Sequence, residues 1–307
     1  MGAAFAPAAI TNFFSVHYKP QAGGDLRKAG ATGGGYILPK GVTSRVTVTE
    51  DGGEGRVEVI VDGDPNYRAT TTRKALDLLF ADRGRPKGNL TIEQSMGVPV
   101  GYGFGASAAA AISAVYAAAA ATGLRLAKRE LAYYAHVADI VEQTGLGTVS
   151  VTYDGMGAGA ITKAGAPGVS RFFNVECPGG TRIVTASLAP FRKSDAISRP
   201  STVKRINELG DRALRTLEAS PDIETLASEG ERFSERLGLM TPEVRELAKL
   251  AKASGAAHAS QNMIGYAIHA LTTDARADAV AAALRDSSPK PWVEVFEIGK
   301  QRARVLR

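Results

Sequence analysis

Hydrophobic residues recur at every second position on both sides of residue 51, with Val46 and Val48 before it and Val57, Val59 and Val61 after it. Between them lies the turn-forming Asp51-Gly52-Gly53-Glu54-Gly55, so the alternation predicts a β-hairpin over 45–61. The period then lengthens: Ala75, Leu78 and Leu79 predict a helix over 68–81 that stops at Asp82-Arg83-Gly84-Arg85-Pro86. A short strand over 90–94 leads into a loop, 97–105, that holds five glycines and prolines. Alanine is so dense over 106–122 that only a helix suits it, closed by Gly123, and another helix spans 128–142. Glycines mixed with β-branched residues over 145–163 predict strands and tight turns, and 171–175 and 182–188 read as further strands. From Ser201 onward the pattern becomes amphipathic helices over 201–219, 222–237 and 242–253, then a helix over 273–285 and a strand over 292–298. The strand places Trp292, Phe296 and Ile298 on one face and Val293 and Val295 on the other. The sum is an α+β protein, and Pro190 and Pro200 bracket a polar connector that divides it into residues 1–190 and 191–307.

Composition narrows the partners. The 307 residues are 44% hydrophobic, enough for a substantial core, and the net charge of +6 suits an anionic ligand or a basic surface. The positive charge is scattered and no basic run is interleaved with stacking aromatics, so no nucleic-acid partner is expected. The tail with Lys300, Arg302, Arg304 and Arg307 reads as a solvated terminus or an edge strand. A single cysteine, Cys177, excludes an intrachain disulfide and a C-x-x-C motif, which suits a reducing, cytoplasmic compartment. The histidines His17, His136, His258 and His269 form no zinc-binding pair. The N-terminus lacks a basic n-region, and the apolar stretch 106–121 is too short to span a bilayer, so no membrane partner is expected.

The candidate chemistry lies in Gly97-Val98-Pro99-Val100-Gly101-Tyr102-Gly103-Phe104-Gly105-Ala106-Ser107-Ala108-Ala109-Ala110, which runs directly into the alanine-rich helix. Glycines let backbone N–H groups converge on an oligophosphate, and the helix N-terminus adds its dipole. Ser107 falls in the first helical turn, where it can cap the helix or reach a phosphate-bound metal. No Gly-Lys-Ser/Thr follows, which removes the P-loop reading. Gly101-x-Gly103-x-x-Ala106 satisfies a permissive dinucleotide fingerprint, but no acidic residue lies between Ala106 and Arg129 to hold a ribose. The third pattern, Pro-x-x-x-Gly-x-Gly-x-Ser-Ala-Ala, is matched from Pro99 to Ala109 and resembles the ATP loop of the GHMP small-molecule kinases.

Three more stretches resemble one branch of that superfamily, the archaeal pantoate kinases, in the same order along the chain. They are Ala6-Pro7-Ala8-Ala9-Ile10-Thr11-Asn12-Phe13-Phe14, then 135–140 followed by Thr144-Gly145-Leu146-Gly147-Thr148-Val149, and Ala259-Ser260-Gln261-Asn262-Met263-Ile264-Gly265. The resemblance implies a GHMP-kinase fold, an N-terminal α+β half packed on a C-terminal α/β half with ATP in the cleft. It also implies ATP-dependent phosphorylation of pantoate to 4-phosphopantoate. On that resemblance Pro99, Gly101, Gly103, Gly105, Ala106, Ser107 and Ala108 bind ATP, and Ser107 and Asp139 hold Mg²⁺, with Glu142 in reserve. Arg27, Lys163 and His136 are candidates to face the substrate carboxylate, and Thr11 and Asn12 to bond its diol. His136 could equally be a structural histidine, and a solvated helix face is the plain alternative for Asp139. The superfamily often dimerises, so a homodimer is expected.

The match has departures. Asp139 stands where the family has Glu, and Ala8-Ala9 where it has Gly-His. Thr148 stands where it has an Asp proposed as general base, and a threonine hydroxyl cannot take that role. Either positioning and charge neutralisation carry the reaction, or Asp154 substitutes, or the acceptor differs. A GHMP kinase for a mevalonate-, homoserine- or shikimate-type acceptor and a non-catalytic nucleotide-binding protein stay open.

Overall fold

The computed structural model describes residues 1–18, 25–49, 55–155, 157–190 and 199–307. Two long strands, β1 (Gly2–Val16) and β2 (Ala31–Thr49), pair antiparallel along their length and organise the larger sheet. Its order is β11-β1-β2-β4-β3, with β3 at Val57–Val61, β4 at Asn89–Met96 and β11 at Arg304–Leu306. β5 (Ala158–Lys163) pairs with the start of β2, and β6 (Arg171–Val175) pairs with β5.

The hairpin expected over 45–61 does not form. β4 lies between β2 and β3, and β3 runs parallel to β4 through the crossover helix α1 (Thr70–Arg83). Alternation specifies that a segment is a strand with one buried face; the apolar face of α1 needs the sheet beneath it, and the crossover supplies that cover. Of the expected turn 51–55, residues 51–54 lie outside the described residues.

Above this sheet pack α1, α2 (Ala106–Thr122) and α3 (Lys128–Val141), around Val42, Val46, Val59, Leu76, Leu79, Ile112 and Tyr116. α2 is buried on nearly every side, which its alanines allow because a methyl group lets neighbouring backbones approach closely. The helix ends as expected, with Gly123 in the left-handed region at φ 71°. Residues 148–154, expected as strand and turn, instead form the short helix α4 (Thr148–Asp154), whose buried Val149 and Thr152 draw it against the core despite a β-favouring sequence.

The second sheet, order β10-β7-β9-β8, is antiparallel: β7 (Thr181–Ala189), β8 (His258–Gln261), β9 (Tyr266–Thr273) and β10 (Trp292–Glu297). The expected division at 190 falls one residue after β7, whose partners β9 and β10 both come from the C-terminal part. Helices α7 (Pro242–Ala253) and α8 (Asp274–Arg285) cover one face through Val244, Leu247, Val280 and Leu284. Helices α5 (Pro200–Ala219) and α6 (Ile223–Leu237) join the two parts, because Ile206, Leu217, Leu226 and Phe233 share one cluster with Phe13, Phe14 and Tyr36. The basic tail closes on the larger sheet as an edge strand, with Ala3 opposite Leu306. No described helix is long and apolar enough to cross a membrane.

One ion cluster pins β8 to α6. His258 Nδ1 lies 2.9 Å from Glu231 Oε2 and Nε2 2.6 Å from Glu224 Oε1, and Lys252 also pairs with Glu231. The Glu231 bond raises the His258 pKa against the opposing effect of burial. A raised folded-state pKa contributes stability that is complete below the unfolded value of about 6.5 and is lost as pH rises through the folded value. The melting temperature should therefore fall between about pH 6 and pH 9 by roughly 2 °C more in the wild type than in His258→Gln, measured by calorimetry.

Candidate active site at the glycine-rich loop

The loop 97–105 leaves β4 and enters α2 through Gly101, Gly103 and Gly105, whose φ angles of 90°, 83° and 62° are left-handed. Gly105 is the N-cap of α2, and the first bond inside the helix runs from Ala109 N–H to Gly105 O. The helix therefore offers no acceptor to the N–H groups of Ala106, Ser107 and Ala108, which are the groups an anion at a helix N-terminus uses. Pro99 sits in the turn leading in, and the small side chains at Ala106 and Ala108 are buried. A methyl on Gly105 would overlap Thr148 Cγ2.

The loop is held from both sides. Ala9 N–H donates to Phe104 O at 3.0 Å, and the Asn262 amide donates to Tyr102 O at 3.1 Å. The turn carrying Asn262 is fastened to β1 in its own right, by Met263 N–H to Thr11 O at 3.1 Å. The separate sequence stretches around Ala9, Gly103 and Asn262 thus meet in one place.

Val100 of the loop borders one cavity, and Ala9 and Thr148, which touch the loop, border a second. The smaller, about 530 Å³, lies between the start of α2 and the β3–α1 connection, with Ser107, Thr144, Thr71, Tyr67, Arg68 and Asp64 in its lining. The larger, about 700 Å³, is lined by Thr11, Gly33 and Gly34 from the sheet, by Gly145, Leu146 and Thr148, and by Pro200, Val203 and Lys204 from the first turn of α5. Phe13, Phe14, Ile161 and Phe172 make much of its wall apolar.

Asp139 stands at the partition. It is 1% exposed, so the solvated-face alternative does not apply. Its Oδ1 accepts from Thr144 Oγ1 at 2.8 Å, and Thr144 Oγ1 lies 2.8 Å from Thr71 Oγ1. Thr144 lines the smaller cavity and the next residue, Gly145, the larger, with Gly145 running so close to the carboxylate that a Cβ there would overlap both of its oxygens. Thr148 opens α4 and lines the larger cavity, its methyl against the last glycine of the loop.

The structure thus brings Thr11, Ser107 and Thr148 to cavity walls beside the loop, with Asp139 buried behind Thr144 and Gly145 and in neither lining. The other sequence candidates lie apart from the cavity linings. Asn12 follows Thr11 in a strand, so the two face opposite ways, and a register shift between Thr11 and Phe13 accompanies the turn of Asn12 into the core. There its amide donates to Tyr36 Oη and to Leu226 O, both at 3.1 Å. Buried His136 lies 3.1 Å from Leu26 O through Nε2, and burial depresses its pKa against the pull of the Leu26 and Ala29 carbonyls. Arg27 is exposed and pairs with Asp25 at 3.2 Å, and Lys163 is exposed at the end of β5. Asp154 ends α4, almost two turns beyond Thr148, so it cannot share the direction of Thr148. Glu142 caps α3 and lines neither cavity. The cation that does line the larger cavity is Lys204, the only charged residue there among the described residues. Sequence reading passes over it because one lysine on an amphipathic helix looks like solvent-facing charge.

Fold and loop define a class: this is a GHMP-kinase fold, with the glycine-rich loop leading into α2. Residues 70–155, from α1 to α4, match the family of GHMP kinases N terminal domains. Among curated proteins the chain is similar to the pantoate kinase of Thermococcus kodakarensis, 29% identical over 99% of this chain and 98% of that protein. The pantoate kinase of Methanospirillum hungatei is 27% identical over 87% of this chain and 86% of its own length. Among solved structures, a phosphotransferase related to the CoA biosynthesis pathway superposes with a TM-score of 0.86 at 28% identity, covering 100% of this chain and 98% of that one.

Gly105→Ala tests the loop geometry, since it combines a left-handed φ with an overlap on Thr148. Affinity for a non-hydrolysable ATP analogue, measured by calorimetry, should drop at least about tenfold.

Proposed function

We propose that this protein transfers the γ-phosphoryl group of ATP to the terminal hydroxyl of pantoate, giving 4-phosphopantoate and ADP in coenzyme A biosynthesis. The observation that carries the reading is the glycine-rich loop and helix N-terminus beside one cavity, with a second cavity across Thr144 and Gly145, which pack on buried Asp139. Near-full-length similarity to two pantoate kinases supports the choice of acceptor.

In this reading the nucleotide occupies the smaller cavity, its phosphates against the N–H groups at the start of α2, with Arg68 beside them. Ser107 and Asp139 supply hard oxygen donors suited to Mg²⁺, and Gly145 leaves the carboxylate the space that any larger residue would fill. Bound there, magnesium would neutralise charge on the phosphate oxygens. Pantoate occupies the larger cavity, its dimethyl carbon against apolar wall, its hydroxyls within the region of Thr11 and Thr148, and its carboxylate toward Lys204. Among the described residues Lys204 makes only a long, exposed pair with Glu208 at 3.9 Å, which leaves its ammonium available.

Among the described residues no carboxylate lines the larger cavity. The chain therefore works by holding the attacking hydroxyl in line, and the loose transition state of phosphoryl transfer needs little base assistance. Thr148 fixes position by packing on Gly105 and contributes no proton acceptor. The same departure favours a second reading, a related hydroxy acid as acceptor.

An ADP-release assay across pantoate, mevalonate, homoserine and shikimate separates them: turnover is expected with pantoate, and turnover with mevalonate but not pantoate would sink the proposal. Asp139→Asn should lower kcat by about a hundredfold, in keeping with the loss of one preorganised charged group. Lys204→Gln should raise the pantoate KM about tenfold and leave the ATP KM unchanged, the pattern of one lost charge-assisted contact.

A further inference from the structure

His269 lies on β9, 2% exposed, with its ring edge-on to Tyr36 at a centroid distance of 5.6 Å. Neither cavity lining includes it, yet two hydrogen bonds through Asn262 connect it to the glycine-rich loop. His269 Nδ1 lies 2.9 Å from Asn262 Oδ1, and Asn262 Nδ2 lies 3.1 Å from Tyr102 O. Asn262 is itself fully buried.

The polarity of this chain is determined from its loop end. Tyr102 O can only accept, so the Asn262 amide nitrogen must face it and the amide oxygen must face His269. The oxygen in turn requires a proton on Nδ1. Nε2 is then the unprotonated nitrogen, and it has no hydrogen-bond partner among the described residues. Burial depresses the His269 pKa to about 3, which favours the neutral ring.

The loop end converts this into function. In a trans peptide the C=O and the following N–H point in opposite directions. Anchoring Tyr102 O on Asn262 therefore aims the N–H of Gly103 away from Asn262, and anchoring Phe104 O on Ala9 does the same for Gly105. Neither N–H is bonded to an acceptor among the described residues. The arrangement leaves no slack, because a Cβ on Gly103 would stand 2.7 Å from Asn262 Cβ and one on Gly265 2.5 Å from Tyr102 O.

We propose that His269 is a positioning residue for nucleotide binding: through Asn262 it orients the Tyr102–Gly103 peptide so that the loop presents N–H groups to the phosphates. The nucleotide part rests on the kinase reading above; the tautomer and the relay do not.

A long-range proton–nitrogen NMR spectrum of the full chain should show His269 protonated on Nδ1 alone, unchanged from about pH 5 to pH 9. A proton on Nε2 would overturn the relay. His269→Asn places an amide N–H where Nδ1 stood, whereas His269→Leu supplies none. The dissociation constant for a non-hydrolysable ATP analogue should rise about tenfold in His269→Leu, stay within about threefold of wild type in His269→Asn, and leave the pantoate KM within about twofold in both. Equal behaviour of the two variants, both unaffected or both impaired, would refute positioning through Nδ1. Should His269→Leu fail to fold, Asn262→Asp keeps the acceptor for His269 and removes the donor to Tyr102; it should show the same rise, and an unchanged constant overturns the proposal. A wild type that binds no ATP analogue refutes the kinase reading and the positioning role, while the spectrum still decides the relay.

Discussion

The carbonyls of Tyr102 and Phe104 are gripped from opposite parts of the chain, one by a side chain of the turn between β8 and β9 and the other by the backbone of β1. That double grip is the constraint around which the molecule is arranged. It demands glycine where the loop meets the Asn262 turn, since two backbones lie there without room for a side chain between them. It demands that α2 begin at one residue and not a neighbour, because Gly105 is at once the N-cap and the surface on which Thr148 rests. It also requires the two sheets to be held in register with each other, and the shared cluster of Phe13, Phe14, Tyr36, Leu226 and Phe233 does this through apolar packing.

Much of this was legible in the sequence where a local rule governs. The run of alanines between Gly105 and Gly123 gave α2 both of its ends, because propensity and glycine capping act within a few residues. The helices after residue 200 were readable from amphipathic spacing, since each has one buried face. Strand partnership was not readable: Val46 and Val57 advertise strands but not that β4 will come between them. β1 escaped notice because alanines and a proline, Ala4, Ala6, Pro7, Ala8 and Ala9, replace the usual β-branched residues where α2 passes overhead. The site divides the same way. Backbone-binding glycines and Ser107 announce themselves by spacing, whereas Lys204 becomes significant only because α5 folds its first turn over a cavity built from β1 and β2.

The chemistry of the site follows from its burial. Asp139 is retained in the interior by two threonine hydroxyls in series, Thr144 and Thr71, which supply part of the solvation that the core removes. The two residues that pack on Asp139, Thr144 and Gly145, line the smaller and the larger cavity respectively. The larger cavity, by contrast, offers hydroxyls and one ammonium against an apolar wall, a lining suited to orienting a small hydroxy acid.

The grip on the loop also has a consequence in time. Residues that hold it are spread from Ala9 to Asn262, and β1 gains its outer neighbour only when Arg304–Leu306 arrives. A chain emerging from the ribosome can assemble β2, α1, β4 and α2 early, from contacts close in sequence. Its glycine-rich loop, however, stays without one of its two anchors until Asn262 has been made. A chain that ends before Asn262 therefore keeps only the Ala9 anchor on the loop.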